Sequence, residues 1–418
     1  MSQAKSVPAS ARDRATTIAL LLLCFPLSCW GRVQFESASL MGLGILLLAL
    51  LGFWHDAGGS TRGLQSAVST LTVLGWLMID RLDPSLGLRQ AVWIAITVGL
   101  RWCWLRWGPD PRTWEKHTLV FGTLIVLLQS AVFLAGTERH GAKNWISIGG
   151  LSVQPGEFVK VLLVLFMAAF FQKHRAWVRV AFASDRRGLP HPSVWGLLFI
   201  VASVEGTLVH QKDLGMALLI AICFLGVFYM ATGRADLCFA GLGLGAVGAL
   251  VAYARYPHVQ QRFEAWLYPF LDPQGTGYQT VQAMYALSSG GLLGRGLGRG
   301  APELVPEATT DFISAALIEE FGLLGFSAAL LLLCLLVGWA FAVALASRDE
   351  FGAFLAAGLG TSFAAQTLLV VGGCLRVIPL TGMTLPFLSY GGSSLVASMI
   401  AVVLLEKLHA EKRGSDAD

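Results

Sequence analysis

The stretch Val305–Gly322 reads VPEATTDFISAALIEEFG and brings four carboxylates to the edge of one of the most apolar runs in the chain, Leu323–Ala346. The four acids are Glu307, Asp311, Glu319 and Glu320. A charge carried into hydrocarbon is expensive, so acids kept at this position favour a functional interpretation. Asp311 follows Pro306 and two threonines at a predicted helix start, where the helix dipole and free N–H groups stabilise an ionised carboxylate. On this stretch alone, a helix N-cap is the simpler interpretation of Asp311.

The composition of the whole chain indicates an all-α polytopic membrane protein. The 418 residues are 55% hydrophobic and only 13% charged, and their mean hydropathy is +0.65, values that are not typical of a soluble domain. The net charge of +4 does not predict a nucleic-acid partner, because the basic residues are distributed by loop. The seven cysteines lie mostly inside apolar runs and lack metal-ligand spacing, so we interpret them as packing residues.

Apolar runs predict about ten to twelve membrane helices, each of roughly 20 residues, in a single integral domain that covers 1–418. The run at 312–346 is long enough to tilt strongly or break, and the N-terminal run is predicted to be a retained helix rather than a cleaved signal peptide. The predicted spans are 15–32, 37–54, 63–80, 86–105, 117–136, 157–172, 193–210, 213–232, 235–254, 312–346, 350–372 and 394–409.

The distribution of Lys and Arg among short loops predicts that both termini lie in the cytoplasm. This orientation places four unusual segments on the outer side: Gly141–Lys160, His210–Gly215, Tyr253–Asp311 and Arg376–Ser394. The third is a large loop (254–311) whose YQTVQAMYAL piece is predicted to form an amphipathic helix. The fourth holds two prolines and three glycines between spans, which predicts an irregular or re-entrant segment near 376–394 that lines a cavity, with Arg376 facing that cavity.

Two of these segments carry candidate binding residues. In GAKNWISIGGLSVQPGEFVK (141–160), Glu157 and Lys160 are spaced to pair on a helix that starts near Pro155. Such a pair is equally typical of an ion pair that only stabilises the fold or anchors the helix at the membrane interface. Lys143 and Trp145 suit a phosphate and a lipid or sugar face, or serve as interface anchors. In HQKDLG (210–215), Lys212 and Asp213 are adjacent and therefore predicted to have separate partners, or to be a topological flank.

The glycine-rich GRGLGRG at 294–300 does not predict a dinucleotide site, because no strand or βαβ unit precedes it. Its arginines, Arg295 and Arg299, are candidates for phosphate contact, with a solvated loop as the default. The residues alone therefore indicate an outward-facing carboxylate, several cations and irregular segments. This set suits chemistry on a lipid-linked anionic substrate, and it also suits a transporter.

Taken together, the segments resemble the SEDS family (shape, elongation, division and sporulation proteins), typified by RodA and FtsW, and in particular its actinobacterial members. The matching pieces follow the family's order across 141–409: GAKNWISIGGLSVQPGEFVK, KDLG, DPQGTGYQ, SSGGLLGRGLG, VPEATTDFISAALIEEFGLLG and PLTGMTLPFLSYGGSS. Residues 1–140 match weakly and are predicted to be divergent helices. The chain departs from the family pattern at Lys212, Gly156, Asn144, Val370 and Arg376.

The resemblance implies a peptidoglycan glycosyltransferase that polymerises lipid II, releases undecaprenyl diphosphate with inversion and works with a class B penicillin-binding protein. It implies that Asp311 is the catalytic base, and that cations or a divalent metal (Mg or Mn) offset the charge of the leaving diphosphate. The predicted substrate-binding residues are Lys143, Trp145, Glu157, Lys160, Lys212, Asp213, Glu307, Arg376 and Ser389.

Two other functional classes stay open at this point. A lipid II flippase or transporter would carry charges along a path through the midplane, whereas the acids here cluster near one face. A noncatalytic scaffold of the cell-wall machinery is disfavoured by the acid in PEATTDF. The sequence does not separate elongation, division and sporulation.

Overall fold

The computed structural model of the protein describes residues 39–47, 61–139, 142–148, 151–181 and 192–415, and these are predominantly helical, as predicted. The predicted span 15–32 and most of 37–54 lie outside the described residues; 39–47 is helical. The longer helices are α1 Arg62–Leu82, α2 Pro84–Trp107, α3 Thr118–Ala135, α4 Pro155–Ala181, α5 Pro192–His210, α6 Leu214–Thr232, α7 Ala235–Arg255, α8 Pro257–Leu267, α9 Tyr278–Gly290, α10 Ile313–Ala346, α11 Glu350–Cys374 and α12 Gly392–Ser415.

Ten of these helices coincide with predicted spans, and α9 contains the predicted YQTVQAMYAL helix. Seven helices in the described ranges, α3, α4, α6, α7, α10, α11 and α12, are long and apolar enough to cross a bilayer, and α5 contributes a shorter apolar stretch. The chain is therefore a multi-pass membrane protein. Helix α8 and a small antiparallel sheet were not predicted. The sheet has strands β1 Thr137–Arg139, β2 Ala142–Ile148 and β3 Leu151–Val153 in the order β1-β2-β3.

Residue contacts group the chain into two compact units, each made of three stretches of sequence. The first unit holds the described residues up to Arg106 together with Pro257–Trp339 and Gln366–Val396. The second holds Trp107–Tyr256, Ala340–Ala365 and the described residues from Ala397 onward. The sequence-based prediction of a single integral domain concerns the whole chain and stays a prediction.

The long apolar run breaks, as predicted, within the first unit. Gly322 interrupts α10 with φ 72° and ψ 177°, a conformation that glycine adopts without the steric penalty of a side chain. The break leaves backbone groups without helical partners, and the glycine-rich loop 291–296 supplies them. The Arg295 and Gly296 N–H groups donate to the carbonyls of Glu319 and Glu320, both at 2.9 Å, and the Leu323 N–H donates to the Gly291 carbonyl at 2.9 Å.

Helices α3, α4, α5 and α6 pack against one another in the second unit, and the small sheet lies against α3 and α4. Gly358 of α11 lets that helix approach α4 and α6, since a methyl group there would lie 2.5 Å from Val164 and 2.9 Å from Val227. Helix α7 differs from the others in this unit, because none of its residues is buried.

Candidate functional site

Asp311 lies in the turn that precedes α10, which corrects the N-cap interpretation. The first helical hydrogen bond runs from the Ala316 N–H to the Phe312 carbonyl at 3.2 Å, so Phe312 is the N-cap residue. The turn is closed by the Glu307 carbonyl, which accepts hydrogen bonds from the N–H groups of Thr310 and Phe312, each at 3.1 Å. Glu307 itself adopts a φ of 56° and accepts a 2.9 Å hydrogen bond from the Thr310 hydroxyl through its carboxylate. Glu307 thus shapes the Asp311 turn.

Ser389 holds the same turn from the segment that precedes α12. Its hydroxyl donates to the Thr310 carbonyl at 2.6 Å and accepts from the Leu385 N–H at 2.8 Å. The Tyr390 N–H adds a 2.8 Å hydrogen bond to the Thr309 carbonyl. Because Ser389 is buried and its hydroxyl is engaged in both directions, the geometry favours a role in positioning Asp311 over the predicted substrate contact.

Arg262, on α8, and Asp311 both have polar atoms close to Gly382. A methyl group at Gly382 would lie 3.4 Å from the Arg262 Nη2 and 3.7 Å from the Asp311 Oδ2. Arg262 Nη1 donates to the carbonyls of Leu380 and Thr381, each at 3.4 Å. Among the described residues, Nη2 and Nε of Arg262 have no hydrogen-bond acceptor, so two donors of a fixed fork remain available beside the carboxylate. Sequence reasoning missed Arg262, because nothing in its local pattern separates it from the other arginines of the loop.

Arg376 makes hydrogen bonds that the sequence did not predict. Its Nη2 and Nε donate to the Trp266 carbonyl at 2.7 and 3.2 Å, and its own carbonyl accepts a 2.9 Å hydrogen bond from the Trp266 indole. Its Nη1 lies 3.3 Å from the Met284 sulfur. The guanidinium therefore fastens α8 and α9 to the start of the 376–391 segment, and its predicted contact with substrate stays a prediction.

The 376–391 segment is irregular and largely buried, as predicted for backbone that is tolerated only inside protein or against a cavity. Three residues, Arg376, Gly382 and Phe387, have φ values of 58°, 70° and 64°. Gln366 donates to the Thr384 carbonyl at 2.8 Å, and a methyl group at Gly75 of α1 would lie 2.5 Å from the Leu388 carbonyl. Close contacts therefore fix the position of the 376–391 segment beside Asp311.

Asp213, in the second unit, is a structural N-cap. Its Oδ1 accepts from the Met216 N–H at 3.1 Å at the start of α6, and its Oδ2 accepts from the Asn144 amide at 2.6 Å and from Gln154 at 3.4 Å. These partners of Asp213 come from other elements and not from the adjacent Lys212. The neutral amide of Asn144 thus satisfies the buried Asp213 carboxylate.

Lys143 and Lys212 lie on adjacent backbone segments, since the Lys143 N–H donates to the Gln211 carbonyl at 3.2 Å. Both side chains are exposed, and Lys212 sits in a turn with a φ of 61°. Lys143 Nζ lies 3.4 Å from the Phe133 carbonyl. Trp145, on the same strand as Lys143, is half-buried. These residues form an exposed edge with two positive charges.

Glu157 and Lys160 form the predicted ion pair on the first turns of α4, with 2.8 Å between Nζ and Oε2. Both side chains are almost fully buried, at 3% and 5% exposure. A buried pair with this geometry fits the interpretation as a structural element better than that of a charge offered to substrate.

The structure thus divides the predicted residues between the units. Glu307, Asp311, Arg376 and Ser389 lie in the first unit with the unpredicted Arg262. Lys143, Trp145, Glu157, Lys160, Lys212 and Asp213 lie in the second. Within the first unit the geometry can combine a proton acceptor with an anion-binding fork.

Comparisons with known proteins agree with these features. The family model for FtsW, RodA and SpoVE, described as cell cycle protein, matches residues 68–414. Peptidoglycan glycosyltransferase RodA of Mycobacterium tuberculosis is 40% identical over 397 residues, which cover 90% of this chain and 84% of the relative. Stage V sporulation protein E of Bacillus subtilis is 37% identical, with 73% and 79% covered.

Solved structures share the fold. A chain in a structure of a peptidoglycan synthase complex, studied for its coordination of polymerization and crosslinking, has a TM-score of 0.67 at 28% identity and covers 84% of this chain and 97% of its own. The crystal structure of RodA from Thermus thermophilus, a rod shape determining protein, has a TM-score of 0.61 at 24% identity, with 84% and 96% covered. The chain therefore belongs to the FtsW/RodA/SpoVE family of membrane-embedded peptidoglycan glycosyltransferases, the SEDS family.

Proposed function

We propose that this glycosyltransferase polymerises glycan strands from lipid II, with Asp311 as general base. The 4-hydroxyl of the acceptor sugar attacks the anomeric carbon of the lipid-linked donor and gives its proton to the Asp311 carboxylate. The new glycosidic C–O bond forms as the bond to the diphosphate breaks, so undecaprenyl diphosphate leaves with inversion in a single displacement. No second catalytic carboxylate is required.

The observation that carries this proposal is that Asp311 and Arg262 both lie beside Gly382. Asp311 is half-buried and held from both directions by Glu307 and Ser389, which suits a base that must meet a hydroxyl at hydrogen-bond distance. The available Arg262 donors suit an oxyanion of a phosphate, which a guanidinium fork binds well. The Asp311 carboxylate can accept the proton of the acceptor hydroxyl. The Arg262 guanidinium can bind the negative charge that develops on the leaving diphosphate.

The exposed lysines support a second part of the proposal. Lys143 and Lys212 present two flexible ammonium groups without a carboxylate partner among the described residues, which suits recognition of a diphosphate headgroup. Lys160 does not share this role, because its charge is engaged by Glu157. We further propose that the site faces the outer side of the plasma membrane, that both termini are cytoplasmic and that a class B penicillin-binding protein is the partner.

The proposal includes a divalent cation, whose effect on polymerisation can be measured. Among the residues that the structure describes, no group of three or more His, Cys, Asp or Glu side chains could hold a metal ion. Mg²⁺ is commonly bound through one or two carboxylates plus substrate phosphates, so the substrate diphosphate would supply the main ligands. Polymer yield with EDTA, Mg²⁺ and Mn²⁺ measures the requirement.

The test is polymerisation of labelled lipid II by the purified full chain with a class B partner whose transpeptidase is inactive. We expect Asp311→Asn, which is isosteric, to lower the rate by about 100-fold or more, in line with the loss of a general base. Glu303→Gln, at an exposed acid of the same unit, is the control and should retain activity.

The alternatives give different outcomes in this assay. Polymer at the wild-type rate from folded Asp311→Asn would remove Asp311 from the centre of the mechanism while keeping the enzyme. If wild type makes no polymer with partner and metal present, transport of lipid II, measured in vesicles, becomes the better interpretation.

A further inference from the structure

The segment of α10 before its break, 313–321, begins directly after the Asp311 turn and is clamped along its length. Gly290 at the end of α9 touches the Ile318 carbonyl so closely that a side chain there would overlap it. Gly294 and Gly322 approach each other just as closely. Backbone hydrogen bonds join the 291–296 loop to α10 around its break. The segment is therefore docked by backbone, which sets its position without long side chains.

An ion pair joins α1 to this clamp. Glu320, in the last turn before the break, is fully buried, and its Oε1 lies 3.4 Å from Nε of Arg81 at the end of α1. Among the described residues Arg81 is the one cation within ion-pair distance of Glu320. Glu303 shares Arg81 at 3.6 Å, but its side chain is 52% exposed. The neighbouring Glu319 accepts a 3.0 Å hydrogen bond from the Ala301 N–H and so fastens the loop on the same face.

The energetics indicate that the pair specifies a geometry more than it adds stability. Burying two charges incurs a desolvation cost that the Coulomb attraction offsets only approximately, and apolar replacement of such pairs is often neutral or stabilising. What an ion pair does provide is one preferred position of α1 against the segment that leads into Asp311. A base displaced by about 1 Å can lower the rate on the order of 100-fold.

We propose that Arg81 and Glu320 are positioning residues for glycosyl transfer, which hold the 313–321 segment, and with it Asp311, at the position that the reaction needs. This inference rests on the proposed role of Asp311. The two residues do not touch substrate in this proposal, and they act through the broken helix alone.

The experiment uses the full chain with its partner and measures kcat and KM for lipid II together with the thermal unfolding midpoint. We expect Glu320→Gln and Arg81→Gln to lower kcat by about 10- to 100-fold with KM within about 2-fold, because the lesion moves the base and leaves the binding groups in place. Arg81→Lys should recover part of kcat. Glu303→Gln removes the exposed partner of the same arginine and should match wild type.

The double variant Arg81→Met/Glu320→Met separates positioning from stability. It leaves no buried charge, so we expect its unfolding midpoint to return to that of wild type, while kcat stays low. Recovery of both midpoint and kcat would overturn the proposal, as would wild-type kcat in the folded single variants. If the single variants fail to fold, the double variant alone decides the question.

Asp311→Asn is measured in parallel to keep this inference distinct from the proposed function. If Asp311→Asn is inactive and Glu320→Gln is fully active, the positioning role of the ion pair is rejected and the role of Asp311 as base stands. Active Asp311→Asn would reject the base assignment itself, and with it the reason for the positioning role.

Discussion

Gly382 lies beside both Asp311 and Arg262, so a single methyl group there tests the site. Gly382→Ala would bring that methyl to 3.4 Å from Arg262 Nη2 and 3.7 Å from Asp311 Oδ2 and add the strain of an alanine at φ 70°, about 1–2 kcal/mol. Gly233→Ala is a matched control, because Gly233 has φ 69° and nothing within 4 Å of the added carbon. We expect both variants to lose similar thermal stability and only Gly382→Ala to lose most of its polymerase activity. Equal activities would contradict the assigned site.

The Glu157–Lys160 pair predicts a non-additive effect on stability. Lys160→Met leaves the Glu157 carboxylate buried without its 2.8 Å partner, so we expect a loss of roughly 3–5 kcal/mol. Glu157→Met/Lys160→Met should recover most of this loss, since no buried charge remains. Thermal unfolding of wild type, Glu157→Met, Lys160→Met and the double variant in one detergent gives the coupling free energy between the two residues. Additive effects would mean that the pair does not hold α4.

Some of these residues could be identified from sequence, and others could not. The i,i+3 spacing of Glu157 and Lys160 fixed their pairing, and the adjacency of Lys212 and Asp213 required separate partners. Arg262, Ser389 and Arg376 could not be assigned, because their partners, near 380, 310 and 266, lie far away in sequence. Hydrogen bonds made across such separations leave no local pattern in the residues that make them.

At the scale of elements, the break in α10 depends on backbone proximity. Gly322→Ala would drive a methyl group into the backbone of the 292–294 loop and strain a φ of 72°. We therefore expect the variant to accumulate poorly or to unfold at a much lower temperature. Gly338→Ala in the same helix has nothing within 4 Å and should be neutral or gain up to about 1 kcal/mol. A stable Gly322→Ala protein would show that the break can be repacked.

The apolar runs predicted the helices well and their interruptions unevenly. A run of 34 residues exceeds the thickness of a bilayer, which indicated that α10 must tilt or break. The length of the run does not predict the position of the break, because the 291–296 loop that packs against α10 determines that position. The β1–β3 sheet was missed because its strands are short and their alternation is weak. Asp311 lies in the turn before the helix and not at the predicted N-cap position, because the Glu307 carbonyl closes that turn.

At the scale of the whole molecule, the exposed lysines predict a salt-dependent affinity. Lys143→Gln/Lys212→Gln should raise the KM for lipid II roughly 2- to 10-fold at low ionic strength, and the difference should shrink as salt screens the interaction. Lys116→Gln/Lys173→Gln removes two exposed lysines from loops predicted to be cytoplasmic and is the matched control. An equal change in both pairs would indicate a general charge effect.

None of the residues of α7 is buried and most of them are exposed, and this has a consequence for the way the chain can vary. Lipid is the only neighbour that its side chains must suit along most of their length, so one apolar residue can replace another there with little effect on folding. The 313–321 segment has the opposite property, since backbone contacts fit it on several sides. In a library of single substitutions selected for growth, α7 should accept nearly any apolar residue and reject charges, whereas 313–321 should accept almost nothing.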